Sequence, residues 1–154
     1  MGFKEAVRTC LREKYFTFQG RASRSEFWYY YLFVILVVIA IMLLMMLLVS
    51  FNPAAIGAGR NIELSTLQYI MLAAAGILVI YLYIPLITAQ VRRFHDRNLS
   101  GWWLLAAIAA GFIPIVGFAA SIAALVITIL KGTDGDNKFG QDPLKVQNSA
   151  DVFA

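Results

Sequence analysis

Two short polar stretches hold most of the side chains able to do chemistry. The first, Gly20 to Trp28, sets Arg21, Arg24 and Glu26 against an aromatic boundary. Guanidinium groups bind phosphate oxygens through charge-assisted hydrogen bonds, so Arg21 and Arg24 offer a seat for a phospholipid phosphate. The same residues also read as topogenic charges beside a helix cap, Ser23 with Glu26 three residues on, and this structural reading is preferred. The second stretch, Arg92-Arg93-Phe94-His95-Asp96-Arg97, is the densest polar cluster in the chain. Asp96 is free to pair with Arg21, Arg24 or its own neighbours if the loops meet on one face. His95 beside Asp96, with Ser100 nearby, invites a catalytic triad. Adjacent residues rarely aim at one proton path, however, and no G-x-S-x-G nucleophile motif is present. A third stretch, Gly132 to Gly140, has the acid spacing of a calcium-loop start. It fails the template, with Lys138 where an acid or Asn is wanted, Phe139 in place of the glycine and Lys145 in place of the closing glutamate. No catalytic, cofactor-binding or metal-ligating residue is therefore expected, and no cofactor.

The elements that must position these groups are apolar. Of 154 residues, 60% are hydrophobic and 14% charged, against roughly 45–50% and about 25% in soluble domains. The mean hydropathy is +0.72. Phe27–Val49, Tyr69–Ala89 and Gly101–Leu130 form uncharged runs of 23, 21 and 30 residues. A helix crossing a hydrocarbon core needs about 20. The expected fold is an all-α transmembrane bundle with spans at about 27–50, 66–90 and 101–130. Residues 1–143 make one membrane domain, and 144–154 a frayed tail. The first run is too long for the apolar region of a cleaved signal peptide. Ser65 with Gln68 is a capping box before the second run, and Asn98 or Ser100 caps the third. Trp28, Trp102 and Trp103 suit the headgroup boundary as interfacial anchors. Pro114, between Gly111 and Gly117, interrupts the third run. That run reads as a kinked span, a re-entrant hairpin or two short helices.

Orientation follows from the cations. Six precede the first span, Arg60 alone lies in the first loop, three follow the second span and three lie in the tail. The positive-inside rule puts the N-terminus in the cytoplasm. A tail outside gives 9 cations inside and 4 outside, whereas a third run that turns back gives 12 and 1. Residues 3–18 read as an amphipathic helix ended by Gly20. Phe3, Ala6, Val7, Cys10, Leu11, Tyr15 and Phe18 take one face, and Lys4, Glu5, Arg8, Thr9, Arg12 and Glu13 the other. Such a helix lies in an anionic leaflet's interface or packs under the bundle. Cys10, the single cysteine, reads as a small apolar side chain on that helix. Residues 51–64 read as a loop with turn chemistry.

The polar segments occur in a distinctive order. Phe18 to Trp28 reads F-x-G-R-x-S-R-x-E-F-W, Arg92 to Asp96 reads R-R-F-H-D, and Ser100-Gly101-Trp102-Trp103, Ile113 to Gly117 and Gly132 to Pro143 follow. Together they resemble the bacterial inner-membrane family catalogued as domain of unknown function 805, the YhaH-like proteins, from about Tyr15 to Pro143. The chain departs from the usual pattern at Arg97-Asn98-Leu99, after the His-Asp pair, and in a longer first loop and third run. The resemblance implies a small multi-pass inner-membrane protein with no established activity, so no site residue carries over from it. No ionisable group lies inside a run, where it would flag an ion pathway. No phosphate-binding loop or nucleic-acid-binding domain is present. The expectation is a non-enzymatic structural or interaction protein, with component of a small-solute transporter or channel as the alternative. Arg21, Arg24, Glu26, Arg92, Arg93, His95 and Asp96 are expected to form a cytoplasmic-face cluster that binds anionic lipid headgroups or a protein partner, or locks the helices. A homo-oligomer fits the same reading, and nucleic acid is not an expected partner.

Overall fold

The computed structural model describes residues 1–50 and 65–145. The expected loop at 51–64 and the end of the tail from 146 lie outside the described residues. The chain folds as an all-α membrane helical bundle, and no strand occurs among the described residues. Helix α1, Phe3–Arg8, continues as a π-helical turn, Thr9–Glu13. Helices α2, Arg24–Ser50, and α3, Thr66–Asp96, are the two long ones. Helix α4, Trp102–Ala110, and α5, Pro114–Ile129, complete the order.

Each long helix starts where its polar residues permit. The Glu26 amide donates to Ser23 Oγ at 3.2 Å, which satisfies one of the orphan donors of the first turn. The reciprocal half of that cap is not made, because the Glu26 carboxylate is drawn instead to Arg92. Before α3 both halves of the box form: Ser65 N donates to Gln68 Oε1 at 2.7 Å and Gln68 N to Ser65 Oγ at 3.3 Å. Helix α3 ends in a Schellman motif. Leu99 N donates to Phe94 O and Asn98 N to His95 O, with Asn98 in the left-handed region at φ 59°. Asparagine is one of the few side chains that tolerate this conformation. Asn98 thus closes the second run rather than opening the third, where the Trp102 amide leans on Ser100 Oγ at 3.4 Å.

The described residues divide into two compact units. One comprises Leu32–Tyr83, the other Met1–Tyr31 with Ile84 onward. The Leu32–Tyr83 unit contains the outer lengths of α2 and α3, tied by a bond from Gln68 Nε2 to Leu48 O at 3.1 Å. Its apolar side chains face outward; Met46 and Ile77 are 68% and 70% exposed. A helix apolar on its exposed side needs hydrocarbon around it.

The other unit holds every polar motif. Here the N-terminal helix is shorter than the expected 3–18. It closes at Glu13 with a Lys14 N to Thr9 O bond of 2.8 Å, and the chain leaves to place Lys14 O and Tyr15 O within reach of the Thr88 hydroxyl. Ala6, Thr9 and Cys10 are buried, so Thr9 sits on the packed face and not the polar one.

The third apolar run turns back. Gly111, Phe112 and Ile113 form a turn, Ile113 is extended as the residue before proline must be, and Pro114 opens α5. By rise per residue α4 and α5 are about 14 and 24 Å long, each short of a hydrocarbon core of about 30 Å. The turn is tight because Gly117 approaches Gly111. A Cβ on Gly117 would stand 2.6 Å from the Gly111 Cα and 2.9 Å from Ala110 O. The run returns to where it began, with Thr133 N bonded to Asp96 O at 2.9 Å.

Candidate functional site

The chemistry-bearing residues assemble as two buried ion networks. The first centres on Asp96, in the last turn of α3. Arg21 Nε donates to Asp96 Oδ1 at 2.8 Å, and Arg93 Nη1 donates to Oδ2. All three side chains are at most 5% exposed. Two guanidinium groups share one carboxylate, and the surplus charge is met by backbone carbonyls. Arg21 reaches Gly135 O at 2.5 Å and Thr133 O at 2.7 Å. Arg93 reaches Thr128 O at 3.1 Å and also Leu130 O. Those two carbonyls belong to the end of α5, where a cation is favoured by the helix dipole. The returning end of the third run is thereby bolted to α3 and to the segment before α2.

The second network is Glu26, Arg92 and Lys14. Arg92 Nη1 donates to Glu26 Oε1, and Lys14 Nζ stands 3.9 Å from Oε2. Cys10 lies against this pair. Burial, and then the Glu26 charge, push its thiol up to about 11, with Arg92 and Lys14 opposing. Arg92 Nε and Nη2 are buried with no hydrogen-bond partner among the described residues.

His95 belongs to neither network. Its Nδ1 lies 3.1 Å from Gly20 O. A carbonyl only accepts, so Nδ1 carries the proton. The ring stacks on Phe139 with centroids 4.0 Å apart. The triad geometry is thereby excluded: Asp96 is spent on two arginines, and Nδ1 of His95 is spent on a carbonyl.

The Gly132–Pro143 segment is a structured turn in which Asp136 and Asp142 accept from its own backbone, while Asp134 pairs with Lys131. Asp142 accepts from Gly135 N at 3.1 Å and from Leu144 N at 3.0 Å, bonds that hold its carboxyl below the usual range, the Leu144 amide most of all. Asp136 accepts from Asp142 N at 3.1 Å. Asn137 Nδ2 donates to His95 O at 3.0 Å.

Of the seven expected cluster residues, Arg21, Arg93 and Asp96 meet in one network, and Glu26 and Arg92 in the other. His95, on the same helix as Asp96, stacks on Phe139 beside them. Arg24 is exposed and makes no ion pair among the described residues. Trp28 Nε1 donates to Thr128 O at 3.3 Å, whereas Trp102 and Trp103 are 75% and 61% exposed. Reading the sequence missed Lys14, Thr128 and Gly132. A Cβ on Gly132 would overlap the Asp96 carboxylate. The signal for it was the glycine-rich segment itself, which side-chain chemistry alone does not connect to Asp96.

Comparison with known proteins adds to this geometry. A family model described as "Protein of unknown function (DUF805)" matches residues 15–141. The chain is similar to "Inner membrane protein YhaH" of Escherichia coli (strain K12), 31% identical over 131 residues that cover 85% of this chain and 90% of the relative. It is also similar to "Inner membrane protein YhaI" of the same organism, 29% identical over 85% of this chain and 89% of the relative. "Uncharacterized protein YiiR" is 27% identical over 92% and 95% of the two chains. No solved structure matches.

Proposed function

Because the chain belongs to the DUF805 family of proteins of unknown function, we propose that it is an inner-membrane structural or interaction protein without a catalytic centre. Its ion networks lock the helix ends on the cytoplasmic face, and its outer cations meet anionic lipid headgroups. The observation that carries this reading is the Asp96 network. Both carboxylate oxygens and every nitrogen of Arg21 and Arg93 have a protein partner. A group engaged at every side-chain nitrogen and at both oxygens holds chain segments together. The inner-membrane location rests on the names of the YhaH and YhaI relatives. The orientation rests on charge along the sequence: six cations precede the first run and three follow the second, against Arg60 alone between them, a bias by which the positive-inside rule assigns the N-terminus to the cytoplasm.

The test is reconstitution of the full chain in vesicles mixing phosphatidylglycerol with phosphatidylcholine. The expected result is enrichment of phosphatidylglycerol around the protein with no leakage of trapped solutes. Leakage of small solutes with no lipid preference would overturn the reading in favour of a channel component.

A further inference from the structure

A cavity of about 290 Å³ opens beside the Asp96 network at the start of α2. Four cations (Arg21, Arg24, Arg93 and Lys131) and three carboxylates (Asp96, Asp134 and Asp142) line it. Most of this charge is already committed. Every side-chain nitrogen of Arg21 and Arg93 is engaged by Asp96 or by a carbonyl, and Asp142 is held by two amides. Lys131 and Asp134 pair at 2.7 Å, but their side chains are 62% and 82% exposed, and such a pair is worth little.

Arg24 is what remains. It lines the same cavity as Arg93, yet it has no carboxylate partner among the described residues. Two further donors accompany it. The amides of Arg24 and Ser25 find no acceptor among the described residues, and the Ser25 hydroxyl, 3.0 Å from Ser23 Oγ, lines the same wall. The wall therefore carries a surplus of one positive charge, focused on a guanidinium, a hydroxyl and two backbone amides. Phe27, Trp28 and Tyr29 follow within one helical turn, which sets the cavity at the level of the aromatic belt, where headgroups lie.

We propose that this cavity binds a singly charged phosphodiester, the headgroup phosphate of an anionic phospholipid, through Arg24, Ser25 and the backbone amides that open α2. The proposal rests on the headgroup reading above and narrows it to one site. One surplus positive charge matches one phosphodiester. It favours a headgroup that does not already balance its phosphate with its own ammonium. Inorganic phosphate, which carries more charge at neutral pH, matches less well.

The experiment titrates the delipidated full chain, in neutral detergent, with short-chain phosphatidylglycerol, phosphatidylcholine and inorganic phosphate. The expected result is binding of phosphatidylglycerol in preference to phosphatidylcholine, weakened about tenfold by Arg24→Gln, as loss of a charge-assisted bond implies. Ser25→Ala should give a smaller loss. Unchanged melting of Arg24→Gln shows that the loss is not unfolding, since Arg24 is exposed and unpaired. Competition by millimolar inorganic phosphate, equal to that of the lipid, would overturn the lipid assignment. Phosphatidylglycerol affinity that falls with Lys4→Gln but not with Arg24→Gln would overturn the cavity while leaving the broader headgroup reading intact. No lipid preference in the wild-type chain would overturn both.

Discussion

Asp96 joins α3 to the segment before α2 through Arg21 and to the segment after α5 through Thr133. It sits between two buried guanidinium groups, with Gly132 packed on its carboxylate. Removing one partner of a buried pair leaves the other uncompensated and costs about 3–5 kcal/mol. Asp96→Asn strands two arginines at once, so its loss should lie at or above the top of that range. Thermal melting in detergent should show it as a large drop, while Arg24→Gln stays within about 0.5 kcal/mol of wild type, as exposed substitutions do. Equal melting of the two variants would mean that the network is not structural. Cys10 gives a second readout at this scale. Its thiol is pushed from 9.0 to about 11, so at pH 7.5 the thiolate fraction should be about a hundredfold below that of a free cysteine. Maleimide labelling should be slow in the folded chain and fast in denaturant. Rapid labelling of the folded chain would place the thiol in solvent. Residue types and positions marked Arg21, Arg24, Glu26, Arg92, Arg93, His95 and Asp96 as one candidate cluster, with Arg21, Arg24 and its chain neighbours all offered as partners for Asp96. Which carboxylate each would choose did not follow, because Glu26 and Asp96 are equivalent in chemistry and differ only in place.

At the scale of elements, the least predictable piece was the α4–α5 hairpin. Thirty uncharged residues have no hydrophobic period that tells one kinked span from two short helices. Pro114 marks where a helix can start, but the reversal depends on the close approach of Gly117 to Gly111. Gly117→Val should therefore push the two helices apart, with a cost of about 1–3 kcal/mol as for overpacked cores. Gly76, where a Cβ meets nothing within 4 Å, is the comparison. Gly76→Ala should be neutral to stabilising in the same melting experiment, since alanine is the better helix former. The N-terminal helix teaches the opposite lesson. Its apolar spacing was legible as far as Phe18, yet the helix ends at Glu13. Helical spacing continues to suit residues 14–18, but the π-helical turn closes with the Lys14 N to Thr9 O bond, and beyond it the Lys14 and Tyr15 carbonyls lie near the Thr88 hydroxyl, whose nearest acceptor is Pro85 O at 3.0 Å.

For the whole molecule, the turn-back of the third run decides which side the tail occupies. Thr133 bonds to Asp96, Asn137 to the His95 carbonyl and Arg97 to the Lys131 carbonyl, so the segment after α5 shares the face of the Arg92–Asp96 motif. The proposed cytoplasmic N-terminus therefore predicts that a reporter fused after residue 145 also reads as cytoplasmic. A periplasmic reading would require the Asp96–Thr133 contacts to be absent in the membrane. The same juxtaposition explains why three motifs far apart in the chain behave as one assembly.

The sequence by itself determined the solvent of this protein and the addresses of its charges. Runs of 23, 21 and 30 uncharged residues admit no other environment, and all 22 charged residues fall outside them. Hydropathy is a sum over neighbours in the chain, so it can be read without a fold. Only the tertiary structure decided that the polar residues split into two networks, that the third run returns, and that Arg24 is left over while Arg21 is consumed. Those outcomes depend on which backbone carbonyls arrive beside which guanidinium. Every residue supplies the same carbonyl, so no residue type announces it in advance.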